Sequence, residues 1–330
     1  MYIETIKAKA KSLQKKVVLP EGTDPRPLKA AEMLNKDRTM KEVVIIGNPD
    51  AVNKLAKENG TAMGDVTIID PKTAPEREQY IDHLFERRKA KGMTKDQARD
   101  LIEDQPLFFG AAQVATGRVD GMVAGCIHPT ADTIRSTLYC VGLKPGNKTI
   151  SSFFIMIHPD TSFFNQGVFM YADCGVVPNP TAEQLADIAE ASAASYKQLV
   201  ADDPRVALLS FSTMGSGQDP IVDKVIAAKK ILDERKPWFP FDGELQFDAA
   251  MIPDIGKRKA PKSLVAGNGN VFIFPDLNAG NICYKVTERL AKCAALGPIL
   301  QGGAKPINDL SRGCSAKDIA EIAYITALQA

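Results

Sequence analysis

The chain has 330 residues, a length for roughly two domains. Lys and Arg number 41 against 40 Asp and Glu, and the resulting +1 offers no global attraction to nucleic acid or to an anionic membrane. Apolar residues at 45% and charged residues at 25% are ordinary globular values, which exclude a disordered chain, a collagen-like repeat and a disulfide scaffold.

The N-terminal segment carries lysines at 7, 9, 11, 15 and 16 with Glu4 and no Arg. It lacks an apolar signal core, so it reads as a first helix rather than a secretory signal or a presequence. Strands are predicted at residues 17–19, 42–46, 66–69 and 121–124, where β-branched runs are short. Helical patterns separate them at 27–34, 50–58, 75–89 and 95–102. This alternation argues for a mostly parallel sheet with helices on both faces. The polar turn Lys144-Pro145-Gly146-Asn147-Lys148 marks a candidate boundary. A second α/β set follows, with strands at 150–157, 167–172, 206–211 and 271–274. Its helices are expected at 181–201, 221–234 and 278–296, the last stopped by Gly297-Pro298. A short apolar piece, a Gly-containing loop and a final helix over about 315–328 close the chain. No apolar run approaches the roughly 18 residues of a membrane span.

The cysteines at 126, 140, 174, 283, 293 and 314 form no CxxC pair, which argues for reduced thiols and a cytoplasmic home. The histidines at 83, 128 and 158 include no HExxH, so no protein-built metal site is expected.

Five segments carry candidate chemistry. Residues 301–315 form a polar, Gly-containing loop between a strand-like piece and a helix, where backbone N–H groups and the helix dipole receive anions. Ser311 offers a hydroxyl there and Arg312 a bidentate fork. The bland alternative is an ordinary connection in which Ser315 and Asp318 form a variant capping box. Residues 210–217, Ser-Phe-Ser-Thr-Met-Gly-Ser-Gly, follow a strand and read either as an anion cradle using Ser212, Thr213 and Ser216 or as a plain turn. Residues 129–135 place Thr130 to cap a helix that carries Arg135, an arginine either functional or simply solvated. Residues 86–92 are a basic helix end closed by Gly92, which the helix dipole explains locally and which a polyphosphate would equally use. Residues 20–26 have the turn chemistry of a βα loop.

Together these segments resemble the phosphate acetyltransferase (phosphotransacetylase) family over nearly the whole chain. The resemblance is strongest in Phe274-Pro275-Asp276-Leu277-Asn278-Ala279-Gly280-Asn281 and in Lys305-Pro306-Ile307-Asn308-Asp309-Leu310-Ser311-Arg312-Gly313-Cys314-Ser315. It implies two three-layer α/β/α domains with mostly parallel sheets and an interdomain cleft, an architecture like that of isocitrate and isopropylmalate dehydrogenases. The domains implied are 1–147 plus 298–330, and 148–297 inserted into the first. The implied reaction is reversible acetyl transfer between acetyl-CoA and phosphate, by direct attack of the CoA thiol in a ternary complex.

By the same resemblance Asp318 is the general base, with Ser311 and Arg312 at the reacting carbonyl. An ordinary Asp, with a pKa near 3.9, is a weak base for a thiol near 8.5, so the thiolate needs either a desolvated base or adjacent positive charge. Arg135 is expected on phosphoryl oxygens, Arg88 and Arg26 on CoA phosphates, and Thr130, Ser212, Thr213, Ser216 and Cys314 along the substrate. Cys314 is not needed as a nucleophile. No metal and no permanently bound cofactor are implied. CoA is a substrate, and K+ or NH4+ stimulation, a homodimer and metabolic partnership with acetate kinase belong to the same expectation. Neither nucleic acid nor a membrane is an expected partner. The alternatives are phosphate butyryl transfer, an NAD-dependent oxidative decarboxylase and a regulatory CoA-binding module.

Overall fold

The computed structural model describes residues 2–162 and 164–330. In chain order the strands are β1 (Lys16–Leu19), β2 (Glu42–Ile46), β3 (Thr67–Ile69), β4 (Gly121–Val123), β5 (Ser151–Ile157), β6 (Val168–Ala172), β7 (Val206–Leu209), β8 (Phe241–Leu245), β9 (Val271–Ile273), β10 (Ala294–Gln301) and β11 (Ile307–Asn308). The chain forms two units. One comprises the residues up to Pro145 together with Gly303–Ala330, and the other is Gly146–Gly302.

The first unit holds a sheet in the order β11-β4-β1-β2-β3, and every neighbouring pair in it is parallel. Its strands are apolar at successive positions because both faces are covered. Val18, Val44, Ile46, Met122 and Ile307 bury against helices Arg77–Arg88, Lys95–Asp104 and Pro106–Thr116. Alternation sends Val17, Leu19, Val43 and Ile45 to the other face. Helices Pro25–Lys36 and Ala316–Gln329 cover that side, with Tyr2–Leu13 packed on the latter. The amphipathic period does not mark Pro106–Thr116, since all residues from Leu107 to Val114 are buried.

The second unit holds the sheet β10-β5-β6-β9-β7-β8. The run β6-β9-β7-β8 is parallel, whereas β10-β5-β6 is antiparallel. Helices Ala182–Val200 and Pro220–Arg235 lie on one face, and Phe247–Met251, Pro253–Lys259 and Leu277–Leu290 on the other. Both faces of both sheets are therefore helix-covered, in a mostly parallel α/β architecture.

Two expectations are corrected here. The helix predicted over 278–296 ends at Leu290, and β10 begins at Ala294. Gly297-Pro298 lies inside β10 rather than stopping a helix. β10 is an edge strand, where a residue without an N–H breaks no second ladder, and its register shifts between Leu296 and Ile299. Because β10 runs on to Gln301, residues 298–302 belong to the second unit, not the first.

Candidate active site

Strand order in the first sheet reverses between β1 and β4. In α/β sheets, ligands bind outside the carboxyl ends of the strands at such a point. The loops leaving β1, β4 and β11 meet there, and they are tied by acids and an arginine.

Glu21 stands two residues beyond β1 and is buried. Its Oε2 accepts the N–H groups of Gly125 and Cys126 at 3.0 and 2.9 Å. Its Oε1 accepts those of Ile127 and His128, both at 3.0 Å, and lies 2.8 Å from His128 Nδ1. Burial pushes this carboxyl up, but the bonds from His128, Cys126 and the loop N–H groups outweigh it and hold the pKa at about 2.

Arg26 stands in the first turn of the next helix. Its Nε and Nη2 donate to Asp24, both at 2.9 Å, and Nη2 also donates to Cys126 O at 2.9 Å. Its Nη1 donates to Arg312 O at 2.7 Å and to Cys314 O at 3.1 Å. A guanidinium has five N–H groups, and all five are spent inside the protein. Arg26 therefore knits the three loops together, and a role on CoA phosphates would require it to release one of these bonds.

Asp309 follows β11 and is fully buried. It accepts Thr130 Oγ1 at 2.6 Å and Thr133 Oγ1 at 2.9 Å. Burial pushes its carboxyl up, against those two hydroxyls, to about 6. Thr130 does not cap its helix. Pro129 is the N-cap and makes no side-chain bond, and the Thr130 hydroxyl goes to Asp309 instead.

Beyond Asp309, Ser311 and Arg312 are exposed. Ser311 Oγ accepts Gly313 N–H at 3.3 Å, and Arg312 Nη1 donates to His128 O at 3.2 Å. Ser315 and Asp318 form a capping box on helix Ala316–Gln329. Asp318 Oδ2 accepts Ser315 N–H and Oγ–H at 2.8 and 2.9 Å, while Oδ1 makes no hydrogen bond among the described residues. The cap therefore occupies one carboxylate oxygen and leaves the other open. Cys314 is turned inward and buried. Burial is the main cause that pushes its thiol up to about 11, and Sγ lies 4.0 Å from Arg26 Nη1. Its sulfur faces inward, whereas Ser311 and Arg312 are exposed on the same loop.

Arg88 and Arg135 line one groove of about 540 Å³ with Lys91, Met93, Phe108 and Tyr139. The Arg88 guanidinium sits 3.8 Å over the Tyr139 ring and makes no hydrogen bond or ion pair among the described residues. Neighbouring Arg87 instead donates through Nε to Tyr139 O at 3.1 Å. Arg135 pairs with Asp132 at 3.0 Å and lies 5.7 Å from the Phe108 ring centre. The first unit thus brings together Ser311, Arg312 and Asp318 on one loop and helix start, and Arg88 and Arg135 in one groove.

The second unit treats its hydroxyl loop differently. Ser212 Oγ donates to Glu244 Oε1 at 2.7 Å, and Gly215 N–H donates to the same oxygen at 2.7 Å. Ser216 Oγ accepts Thr213 N–H at 2.9 Å, and Thr213 Oγ1 bonds Gln246. Ser212 and Glu244 are both buried. The loop is an anion cradle, but its anion is the protein's own carboxylate. Ser212 is thus committed to an internal carboxyl, whereas Ser216 is exposed at the loop surface.

Sequence reasoning missed the acids Glu21, Asp309 and Glu244. Glu21 and Asp309 each stand one or two residues beyond a strand, and Glu244 lies within β8. That position is the one signal that could have marked the first two.

Among the described residues no helix is long and apolar enough to cross a membrane. None of their His, Cys, Asp and Glu side chains form a group of three or more placed to hold a metal ion.

The sequence model of the family described as Phosphate acetyl/butaryl transferase matches residues 1–327. The phosphate acetyltransferase of Acetivibrio thermocellus is 48% identical over 329 residues, covering 100% of this chain and 98% of that protein. A phosphotransacetylase structure from Streptococcus pyogenes superposes with a TM-score of 0.92 at 42% identity, over 100% of this chain and 99% of that one. A 4-hydroxythreonine-4-phosphate dehydrogenase from Klebsiella pneumoniae gives a TM-score of 0.57 at 9% identity, over 96% of this chain and 100% of that one. That last likeness is one of fold alone.

Proposed function

This chain belongs to the phosphate acetyl/butaryl transferase family, and from that premise we infer its reaction and the roles of its residues. It is a phosphate acetyltransferase, an acyltransferase that moves an acetyl group between acetyl-CoA and inorganic phosphate. One observation carries the assignment of roles. In a chain similar to such enzymes over its full length, Ser311, Arg312 and the open oxygen of Asp318 stand exposed on one tied-down loop and helix start.

In the direction that makes acetyl-CoA, Asp318 Oδ1 takes the CoA thiol proton. The sulfur attacks the acetyl carbonyl carbon, a C–S bond forms, and the bond from that carbon to the phosphate oxygen breaks. Inorganic phosphate leaves. Charge gathers on the carbonyl oxygen, so donors fixed in advance lower the barrier. The unspent Ser311 hydroxyl and the open edge of Arg312 suit that task. Arg135, held by Asp132, takes phosphoryl oxygens. Arg88, stacked on Tyr139 with every N–H unspent, takes a CoA phosphate. The capping bond on Oδ2 orients Asp318 and leaves Oδ1 for the thiol proton.

The reading extends further on the family resemblance. It takes the enzyme as cytoplasmic, a metabolic partner of acetate kinase, and stimulated by K+ or NH4+. The six free cysteines, five of them buried, support a reducing compartment. It also takes the enzyme as a homodimer. Ile282, Val286 and Leu290 repeat at helical spacing on Leu277–Leu290 and are all exposed, which supports a self-contact. A monomeric mass in solution would exclude it.

The deciding assay follows free thiol from acetyl-CoA on addition of inorganic phosphate. Thiol release matched by acetyl phosphate is expected without metal or NAD. Release from butyryl-CoA but not acetyl-CoA would move the assignment to a longer acyl chain. No release from either would overturn it.

A further inference from the structure

Two groups of working residues stand on different elements of the first unit. Ser311 and Arg312 lie on the loop after β11, and Arg135 lies on helix Thr130–Ser136 after β4. That helix has seven residues and no side-chain cap. Its far end continues into the helical turns Thr137–Val141, where Thr137, Cys140 and Val141 are buried, whereas its uncapped first turn takes its position from whatever it is fastened to. Thr130 and Thr133 are three apart and so share one face. Both donate from that face to a single side chain, Asp309.

The other end of Asp309 is covalently continuous with Leu310, Ser311 and Arg312. Arg26 holds the carbonyls of Arg312 and Cys314. A Cβ on Gly125 would strike Asp309 Oδ1, so the β4 loop closes over the carboxylate from a third side. Asp309 is fully buried and each of its oxygens is engaged, so it does not touch substrate.

We propose that Asp309 is a positioning residue that sets Arg135 against the Ser311–Arg312 loop by pinning the first turn of the Arg135 helix at two points. Asp132 and Phe108 then orient the Arg135 side chain, while Asp309 sets the backbone from which it projects. The inference rests on the reading of Arg135 as a substrate ligand.

The test is a double-mutant cycle in the full chain with Asp309→Asn and Arg135→Gln. It reads kcat and the KM for acetyl phosphate and for CoA. Asparagine keeps the shape of the side chain but offers one acceptor oxygen to two hydroxyls. Misplacement of a reacting group by about 1 Å costs about 10²-fold, and Asp309→Asn is expected to lower kcat/KM for acetyl phosphate on that scale. In the Arg135→Gln background the same change is expected to cost no more than about twofold, because the group it positions is gone. Thr133→Val, which removes one donor at constant shape, is expected to follow the same pattern and serves if Asp309→Asn fails to fold.

An impaired Arg135→Gln enzyme in which either second change still costs its full factor would overturn the inference and leave the Arg135 reading intact. An Arg135→Gln enzyme with normal kinetics would overturn the Arg135 reading itself, and the inference with it.

Discussion

Arg312 spends one of its five N–H groups, on His128 O, and its side chain is exposed at the loop that follows β11. Nothing in the fold depends on the remaining donors, so their loss is a loss of chemistry. Arg312→Gln is expected to lower kcat by about 10²–10³-fold, the effect of removing one donor aimed at a developing oxyanion. Its melting temperature should stay at the wild-type value. Steady-state rates with acetyl phosphate and CoA measure this, and a fall of only a few-fold would take Arg312 out of the reaction. Two residues away the expectation inverts. The Cys314 thiol is buried, and burial pushes it up to about 11, so at neutral pH it is an un-ionised apolar group. Cys314→Ala should keep most of the activity, and an inactive but folded variant would reopen a covalent route.

At the scale of elements, loops after strands were legible as candidate sites because glycines, hydroxyls and helix caps are local signals. What each loop holds was not legible, since its partner is remote in sequence. Ser212 and Glu244 are 32 positions apart, and Glu21 meets His128 across 107. The segment 210–217 therefore reads equally well as a phosphate cradle or as a turn closed by an internal carboxylate, and only tertiary pairing separates the two. The capping box of Ser315 and Asp318 was legible for the opposite reason, as both partners lie within one helical turn. The predicted helix over 278–296 failed through Gly297-Pro298, which punctuates a helix in sequence but sits comfortably in an edge strand. The internal carboxylate has a consequence. Ser212→Ala removes a donor to a buried acid and is expected to destabilise by about 1–3 kcal/mol. The KM for phosphate should remain within about twofold of wild type, the scatter of independent sites. A large rise in that KM at unchanged thermal stability would restore Ser212 to the substrate.

For the whole molecule, two of the three buried acids of the first unit, Glu21 and Asp309, pull stability in opposite directions with pH. Glu21 is held at about 2 against an ordinary 4.5. A carboxyl depressed by folding contributes stability that is full above the ordinary value and is lost as pH falls from 4.5 towards 2. Asp309 is raised to about 6 from an ordinary 3.8. Its ionisation opposes folding, so stability is lost as pH rises from 3.8 through 6. Each shift corresponds to about 3 kcal/mol at its full extent, and the two nearly cancel at neutral pH. Thermal unfolding of the full chain across this range separates them. The gap in melting temperature between wild type and Glu21→Gln should be widest at neutral pH and narrow steadily below pH 4.5. For Asp309→Asn the sign reverses, because wild type loses ground to the variant as pH rises from 3.8 to 6. The carboxylate that ties the Arg135 helix is thus maintained in its charged form at a thermodynamic cost, and Glu21, by gathering the N–H groups of the β4 loop, offsets it. A pH-independent gap for either variant would show that its carboxyl is not shifted by the surroundings described, and the balance between the two acids would fall.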